Sequence, residues 1–249
     1  MTDAGVTGTA LLDVRAGTTV LEADCVSKRF GMRAVLTAAS LRARAAVVTA
    51  LLGRNGAGKS TLLHITTGTK SADTGIVRFE GSTLTRPTLA ALARRGVFFL
   101  PDRDLLHPSL TVGAQVQAVA EWFGSTSTVQ AVAQSLGIAA QLSKRPRSLS
   151  GGERRRAEVA VAVLREPRVL MLDEPLRGIQ PLDAELIMAT LKDFARSGGA
   201  VVLTGHELPL ILPHVDCVTW CASGTTREFS SPDEATRDFA FQRDFLGSI

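Results

Sequence analysis

The chain has 249 residues, of which 45% are hydrophobic and 21% are charged, and its formal net charge is +4. This composition is that of a globular protein of one to two domains, at roughly 150 residues each, and it excludes disordered, collagen-like and disulfide-scaffold chains. The longest apolar runs, such as AAVVTALL and VLML, fall far short of the ~20 residues that a membrane-spanning helix needs.

The first residues, MTDAGVTGTALLDVRAG, contain no basic region followed by an apolar stretch, so we expect no secretory signal and a cytoplasmic location. Their Gly, Thr and Ala content predicts a flexible segment over residues 1–17. The three cysteines, Cys25, Cys217 and Cys221, form no CxxC pair and favour a reducing compartment. The small basic excess and the 5% aromatic content predict that the chain does not bind nucleic acid.

Strand and helix patterns alternate along the rest of the chain. Short β-prone runs occupy the region from Val20 to Leu52, and its last run, AVVTALL, predicts a buried strand. Between about residues 83 and 164 the sequence is alanine-rich with helical periodicity, which predicts a helical insert. Strand signals return as VLML and as AVVL at residues 200–203. Apolar strands that alternate with helices predict a parallel sheet covered on both faces, and therefore an α/β fold.

A glycine-rich segment directly after the predicted buried strand fits the pattern G-x-x-x-x-G-K-[ST]. It consists of Gly53, Arg54, Asn55, Gly56, Ala57, Gly58, Lys59 and Ser60, and is followed by Thr61. Its glycines permit a backbone that cradles a polyphosphate, and the helix that begins here points its N-terminal amides at the anion. We expect Lys59 to reach the β- and γ-phosphates, the Ser60 hydroxyl to bind Mg²⁺ and Thr61 to add a phosphate hydrogen bond.

A second segment, VLMLDE, predicts a buried strand that ends in Asp173 and Glu174. Carboxylates at the carboxyl edge of a parallel sheet lie where ligands bind. We expect Asp173 to hold Mg²⁺, through water, and Glu174 to polarise the attacking water as a general base. The pattern by itself also fits a strand that leads into an exposed loop, and the phosphate loop favours the catalytic interpretation.

Between these segments lies the sequence LSGGE, and with it the chain resembles the ATP-binding-cassette ATPases. LSGGE matches the family signature, which implies that Ser150, Gly151 and Gly152 form a second anion-binding surface for the nucleotide of a partner subunit. The basic residues 154–156 are expected on the helix that follows. Because three consecutive charged residues usually face solvent, we expect them to form an exposed face of that helix. The family resemblance implies that the chain binds ATP and Mg²⁺.

Two further residues match family positions. Phe30, in KRFG, matches the aromatic residue that stacks on adenine, although a core aromatic is the alternative. His206, in VVLTGHE, matches the switch histidine that contacts the γ-phosphate. The runs SLSGGERRRAEVAVAVL and FAFQRDFLG are most similar to the ATPases of branched-chain amino-acid uptake and lipopolysaccharide transport.

Three residues depart from the family pattern. Asp102 stands where a glutamine is usual, and its carboxylate is expected to bind Mg²⁺ but cannot donate a hydrogen bond as an amide does. Gln180 replaces an aspartate that communicates across the dimer, and Asp183, three residues later, cannot be assumed to substitute for it. Val161 stands where arginine is common.

The resemblance implies one cassette domain over residues 18–249. It has a P-loop NTPase core of the RecA type at about 18–101 and 165–249, an N-terminal antiparallel β subdomain, and a helical subdomain at about 102–164. The expected function is that of a transporter ATPase that dimerises around ATP, on the inner face of the cell membrane, and drives separate permease subunits. The alternatives are a partly degenerate regulatory cassette that pairs with another subunit, and a cassette protein outside transport.

Overall fold

The computed structural model describes residues 16–246. The predicted flexible segment at residues 1–17 lies outside these residues except for its last two positions. In chain order the strands are β1 (Thr19–Phe30), β2 (Arg33–Arg44), β3 (Val48–Leu52), β4 (Thr74–Phe79), β5 (Ser82–Leu84), β6 (Val97–Leu100), β7 (Val169–Leu172), β8 (Ala200–Gly205), β9 (Cys217–Ala222) and β10 (Thr225–Phe229). The helices are α1 (Lys59–Thr66), α2 (Leu89–Ala93), α3 (Val112–Phe123), α4 (Val129–Ser135), α5 (Gly151–Leu164), α6 (Pro181–Arg196), α7 (Leu208–Ile211), α8 (Pro232–Arg237) and α9 (Phe239–Leu246).

The described residues form two β-sheets. The first is antiparallel, with strand order β2-β1-β4-β5. The second has the order β10-β9-β3-β8-β7-β6, and every neighbouring pair in it is parallel except β10 with β9. Strands β3 and β7 are buried along their whole length, as expected of parallel strands covered on both faces. The predicted parallel sheet is therefore confirmed.

Alternate residues of β3 belong to two hydrophobic cores. Val48, Ala50 and Leu52 pack into the core that the helices cover, whereas Leu51 packs into the core beneath the antiparallel sheet. Side chains of successive residues in a strand point to opposite faces, so the parallel sheet is the middle layer of three.

The register of the parallel strands brings their carboxyl ends to one edge. Leu52 of β3 lies opposite Gly205 of β8, Leu172 of β7 lies opposite Leu203, and Leu100 of β6 lies opposite Leu172. The segments that follow β3, β6, β7 and β8 therefore leave the sheet side by side. These segments carry the phosphate loop, Asp102, the carboxylate pair and His206.

The helical stretch predicted from residue 83 begins later than expected. Strand β5 completes the antiparallel sheet, and β6 is the edge strand of the parallel sheet, so residues 82–84 and 97–100 belong to the two sheets. The alanine-rich run LAALARR forms only the short helix α2 between them. Alanine favours helix locally, but the apolar run VFFL that follows pairs with β7. Beyond β6, residues 102–164 contain α3, α4 and α5. Within the described residues, no helix has both the length and the apolar composition to cross a membrane.

Candidate functional site

The phosphate loop joins β3 to α1 in the arrangement that the sequence predicts. Gly58 is the residue before the helix and has φ 112°, and Gly56 has φ 83°, conformations that favour glycine. A Cβ atom on Gly58 would lie 2.7 Å from Cδ2 of Leu36, so the loop also passes too close to β2 for a side chain. The Lys59 ammonium is buried and donates to the carbonyls of Gly53 (2.8 Å) and Arg54 (3.3 Å). The lysine is thus held over the loop that precedes it.

Strand β9 braces this loop from the side. The Cys221 thiol donates to the carbonyl of Ala57 at 3.2 Å, and a Cβ on Gly53 would lie 2.2 Å from the Cys221 carbonyl oxygen. Burial raises the pKa of the Cys221 thiol to about 11, so the thiol stays a neutral donor near pH 7. Sequence reasoning used Cys221 only as an indicator of a reducing compartment and missed this role.

Asp173 follows β7 and is buried beside the phosphate loop. Its Oδ1 accepts from the Ser60 hydroxyl at 3.1 Å and from the Thr204 hydroxyl at 2.7 Å. The Thr204 oxygen in turn accepts from the Glu174 amide at 2.7 Å. Thr204 therefore fixes both acidic residues, and sequence reasoning missed it because its effect depends on β8 lying next to β7.

Glu174 lies between a cation and an imidazole. The backbone of Glu174 has φ 46°, a conformation that is strained for residues other than glycine. Oε1 is 3.6 Å from the Lys59 ammonium and Oε2 is 3.0 Å from Nδ1 of His206. On the other side of the ring, Nε2 of His206 is 3.4 Å from Oε1 of Glu207. Glu207 is a third residue that sequence reasoning did not select, although it directly follows His206.

Glu174, His206 and Glu207 line one cavity together with the phosphate loop and Phe30. Its volume is about 680 Å³, within the range of roughly 300–1,000 Å³ of small-molecule sites. Its lining consists of Phe30, Arg33, Val35, Asn55, Gly56, Gly58, Lys59, Ser60, Thr61, Asp102, Glu174, Arg177, Gly178, His206 and Glu207. The Phe30 ring is 47% exposed, with the ammonium groups of Lys28 and Lys70 at 5.8 and 5.7 Å from its centre. Phe30 is therefore not a core aromatic, and its stacking on adenine stays a prediction.

Asp102 lies at the edge of this cavity, after β6. Its side chain is 46% exposed, and its Oδ2 is 3.8 Å from a guanidinium nitrogen of Arg177. Asp102 and Ser60 line the same cavity. Both residues would have to face one space in order to bind the same Mg²⁺ ion. That role stays a prediction.

The signature turn lies elsewhere. Ser150 precedes α5 and forms a capping box, in which its hydroxyl accepts from the Glu153 amide (3.2 Å) and Glu153 accepts from the Ser150 amide (2.8 Å). The described residues that line the phosphate-loop cavity do not include Ser150, Gly151 or Gly152. The two predicted anion-binding surfaces of one chain are therefore separate, and the role of the second stays a prediction.

The basic run on α5 is not the solvated face that its charge suggested. Arg155 and Arg156 are only 7% and 8% exposed, because carbonyl and carboxylate groups surround them. Arg155 donates to the carbonyls of Pro101 (2.8 Å) and Asp173 (2.9 Å) and pairs with Glu158 (2.9 Å). The signature helix is thereby tied to the loops that follow β6 and β7.

Arg156 ties α5 to two other helices. It donates to the carbonyl of Leu136 at the end of α4 (2.8 Å) and pairs with Asp183 on α6 (3.2 Å). A Cβ on Gly152 would lie 2.1 Å from a carboxylate oxygen of Asp183. Asp183 is engaged with α5 of its own chain, and Gln180 is the exposed residue that precedes α6.

Comparisons with known proteins point to one family. A family model described as ABC transporter matches residues 36–177. The Nod factor export ATP-binding protein I of Rhizobium etli is 34% identical over 206 residues, which is 81% of this chain and 65% of that protein, so the chain spans about two thirds of that relative. The lipopolysaccharide export system ATP-binding protein LptB of Haemophilus influenzae is 27% identical over 234 residues, 92% of this chain and 97% of that protein.

The fold is that of solved cassettes. A nucleotide-free ATP-binding cassette from an ABC transporter superimposes with a TM-score of 0.79 at 22% identity, over 93% of this chain and 100% of that one. The predicted α/β fold of the P-loop type, with its antiparallel sheet, is therefore confirmed. The similarity to the lipopolysaccharide-transport group is confirmed as well, since members of that group are among the relatives.

Proposed function

The chain belongs to the ABC transporter family, and from that premise we propose that it is the ATP-binding and ATP-hydrolysing subunit of a transporter. The observation that carries this proposal is the position of Glu174. Its carboxylate lies between the Lys59 ammonium and the His206 ring, beside the Ser60 and Asp173 pair, in a cavity of nucleotide size.

The phosphate loop binds the polyphosphate. The first amides of a helix have no acceptor within the helix, and at α1 they point at the cavity together with the positive end of the helix dipole. Lys59 exchanges the carbonyls of Gly53 and Arg54 for the β- and γ-phosphates, and Thr61 adds a hydroxyl. Neutral carbonyl acceptors at 2.8 and 3.3 Å are readily replaced by charged phosphate oxygens.

The residues present fit Mg²⁺. The Ser60 hydroxyl and the Asp173 carboxylate are hard oxygen donors only 3.1 Å apart, and Ser60 lines the cavity. The sequence also assigns Asp102 to the ion, but its Oδ2 faces a guanidinium nitrogen of Arg177 at 3.8 Å. A role at the ion and a role at that guanidinium are therefore alternatives, and nucleotide titrations of Asp102→Asn separate them. When bound, the ion neutralises charge on the β- and γ-phosphates.

Glu174 is the general base. Its carboxylate accepts a proton from the water that attacks the γ-phosphorus, the bond from that phosphorus to the bridging oxygen breaks, and ADP and inorganic phosphate leave. His206 orients the carboxylate through Nδ1 at 3.0 Å. Both ring nitrogens face carboxylates, so a contact between His206 and the γ-phosphate requires the ring to release one of them.

The substitution Glu174→Gln tests this assignment. We expect kcat for ATP hydrolysis to fall by about 100-fold or more, because general-base catalysis contributes at least that much. The affinity for ATP should stay within about twofold, since the amide is isosteric and most phosphate contacts come from the loop. Lys144→Met is the control, because Lys144 is exposed and is not among the residues that line the cavity. Undiminished hydrolysis by Glu174→Gln would rule out Glu174 as the base.

A second chain of the same family completes the site. The LSGG turn of each subunit, Ser150 to Gly152, binds the nucleotide on the phosphate loop of the other, so the working unit is a dimer with separate membrane permease subunits at the inner face of the membrane. Relatives named as export and import ATP-binding proteins support this arrangement. Co-purification of the chain with an integral membrane protein is expected, and a chain that copurifies with none favours a role outside transport.

Asp102 and Gln180 favour a second candidate, a regulatory cassette that offers its signature turn to a more orthodox partner. The two functions differ in the activity of the purified chain alone. A basal rate above that of Glu174→Gln supports a self-sufficient homodimer. A basal rate equal to that of the variant supports the regulatory cassette.

A further inference from the structure

The loop after Glu174 carries Arg177, which has no role in the nucleotide site as described so far. The Arg177 amide donates to the Glu174 carbonyl at 3.2 Å, so the two residues are the ends of one hydrogen-bonded turn. Leu176, between them, is buried and anchors the turn, and Gly178 leaves it with φ 68°. The backbone that sets the position of the Glu174 carboxylate therefore also sets the origin of the Arg177 side chain.

The Arg177 side chain faces the cavity. It lines the same space as Lys59, Ser60 and Glu174, and it is 69% exposed there. Its guanidinium is 3.8 Å from the Asp102 carboxylate, which is a long ion pair rather than a hydrogen bond. An exposed pair of this length contributes little to folding stability, so the guanidinium is free to take a better acceptor.

Charge in the cavity explains why such a cation is needed. Asp102 places a carboxylate at the edge of a site for a polyphosphate, and like charges repel unless a cation lies between them. Lys59 already faces Glu174 at 3.6 Å. Arg33 is paired across the strands with Phe30. Among the described residues that line the cavity, Arg177 is the cation that pairs with Asp102.

We propose that Arg177 binds the terminal phosphate of ATP and that Asp102 positions its guanidinium, so that the two residues act as a compensating pair. A guanidinium binds a phosphate through two parallel hydrogen bonds and cannot be deprotonated at physiological pH. The carboxylate of Asp102 holds the group at the cavity edge from the side opposite the phosphate. The inference rests on the proposed function, because it names a ligand contact for the same nucleotide site.

Binding of two nucleotides to the parent chain and three variants tests the pair. The non-hydrolysable imido analogue of ATP and ADP are titrated, both with Mg²⁺, against the full chain, Arg177→Met, Asp102→Asn and the double variant. Arg177→Met is expected to weaken binding of the analogue by about tenfold, the value of one charge-assisted hydrogen bond, and binding of ADP by less than about twofold. The double variant should bind the analogue within about threefold of the parent chain, because removing the carboxylate removes the repulsion that Arg177→Met exposes.

Arg103→Met is the matched control, since Arg103 is an exposed arginine next to Asp102 that does not line the cavity. We expect its affinities to match those of the parent chain. Equal loss of both nucleotides in Arg177→Met, or the same loss in Arg103→Met, overturns the proposal. It is also overturned if Asp102→Asn weakens the analogue and does not rescue Arg177→Met, because Asp102 then acts on the metal ion. If the parent chain binds neither nucleotide, the proposed function itself fails, whereas parent binding without the selective loss defeats only the assignment of Arg177.

Discussion

Helices α1 and α5 both begin at glycine-containing turns, but they satisfy their first backbone donors differently. At α1 the preceding residue is Gly58, and no side chain of the described part of the chain caps the helix. At α5 the preceding residue is Ser150, and its capping box with Glu153 uses two amides within the same turn. The turn at α1 leaves its backbone donors to a ligand, whereas the turn at α5 satisfies two of them internally.

Charge sharpens the difference. Helix α1 begins with Lys59, whereas α5 has Glu153 in its first turn and the Asp183 carboxylate close to Gly152. A carboxylate near a helix N-terminus stabilises the helix but competes with an external anion. The comparison teaches that a glycine-rich turn at a helix start is not by itself an anion site. Of these two turns, the one at α1 also lies in a cavity with a buried lysine.

The largest expected effect comes from removing the cation that distinguishes the two turns. Lys59→Met should weaken ATP binding by about 100-fold or more, because charged hydrogen bonds to the β- and γ-phosphates are lost. Fluorescence titration with a labelled ATP measures this change, and Lys144→Met should bind normally. Near-normal affinity in Lys59→Met would mean that the amides of α1 suffice and that the contrast between the turns is one of backbone alone.

A matched pair of glycine substitutions measures how closely each turn is packed. In Gly53→Ala the new Cβ meets the Cys221 carbonyl at 2.2 Å, and backbone must shift. We expect the free energy of unfolding to fall by about 1–3 kcal/mol, as for other overpacked sites. In Gly151→Ala the Cβ meets nothing within 4 Å, and stability should stay within about 0.5 kcal/mol. Urea denaturation of both variants is the measurement, and equal losses would contradict the difference in packing.

Ser150→Ala removes the internal cap of α5. The expected loss of stability is about 1 kcal/mol, because the Glu153 amide loses its acceptor. Thr111→Ala, which removes the corresponding cap of α3, should cost a similar amount. Only Ser150→Ala should also lower ATP hydrolysis while the single chain binds ATP normally. If both variants hydrolyse ATP equally well, the signature turn has a structural role alone.

The smallest effect is a dependence on pH. The Ser150 amide, together with the side chain of Gln141, lowers the pKa of Glu153. A carboxyl with a lowered pKa in the folded state contributes stability above its unfolded pKa of about 4.3, and this stability is lost as pH falls through the lower folded value. Glu153→Gln should therefore flatten the acid end of the stability curve, measured as Tm between pH 3 and pH 6. Parallel curves for the variant and the parent would show that the charge of Glu153 does not support the turn.

Sequence reasoning succeeded where a local pattern determines the structure. The apolar runs that became β3, β7 and β8, the helix that starts at Lys59 and the helix that follows Ser150 depend on neighbouring residues, and all are present as expected. The alanine-rich periodicity alone extended the helical region over strand β6, because its partner β7 lies about 70 residues further along the chain and the segment before β6 favours helix. The family resemblance, by contrast, implied a core that reaches to about residue 101.

The supporting residues of the site were not predictable in the same way. Thr204 reaches Asp173 across 31 residues of sequence, and Cys221 reaches Ala57 across 164. Both contacts exist only because β3, β8 and β7 are neighbours, with β9 on the other side of β3. The buried state of Arg155 has the same cause, since its acceptors are carbonyls that no side-chain pattern reveals.

The Arg155 guanidinium has a mechanical consequence. One rigid planar group holds the carbonyls of Pro101 and Asp173, which end two adjacent strands, and it is carried by the helix that starts at the signature turn. A rotation of α5 cannot leave these acceptors in place without stretching hydrogen bonds of 2.8 and 2.9 Å. Helix α5 and the ends of β6 and β7 are therefore expected to move together. A hinge between the helical region and the sheets would then have to lie outside α5 and these two strand ends.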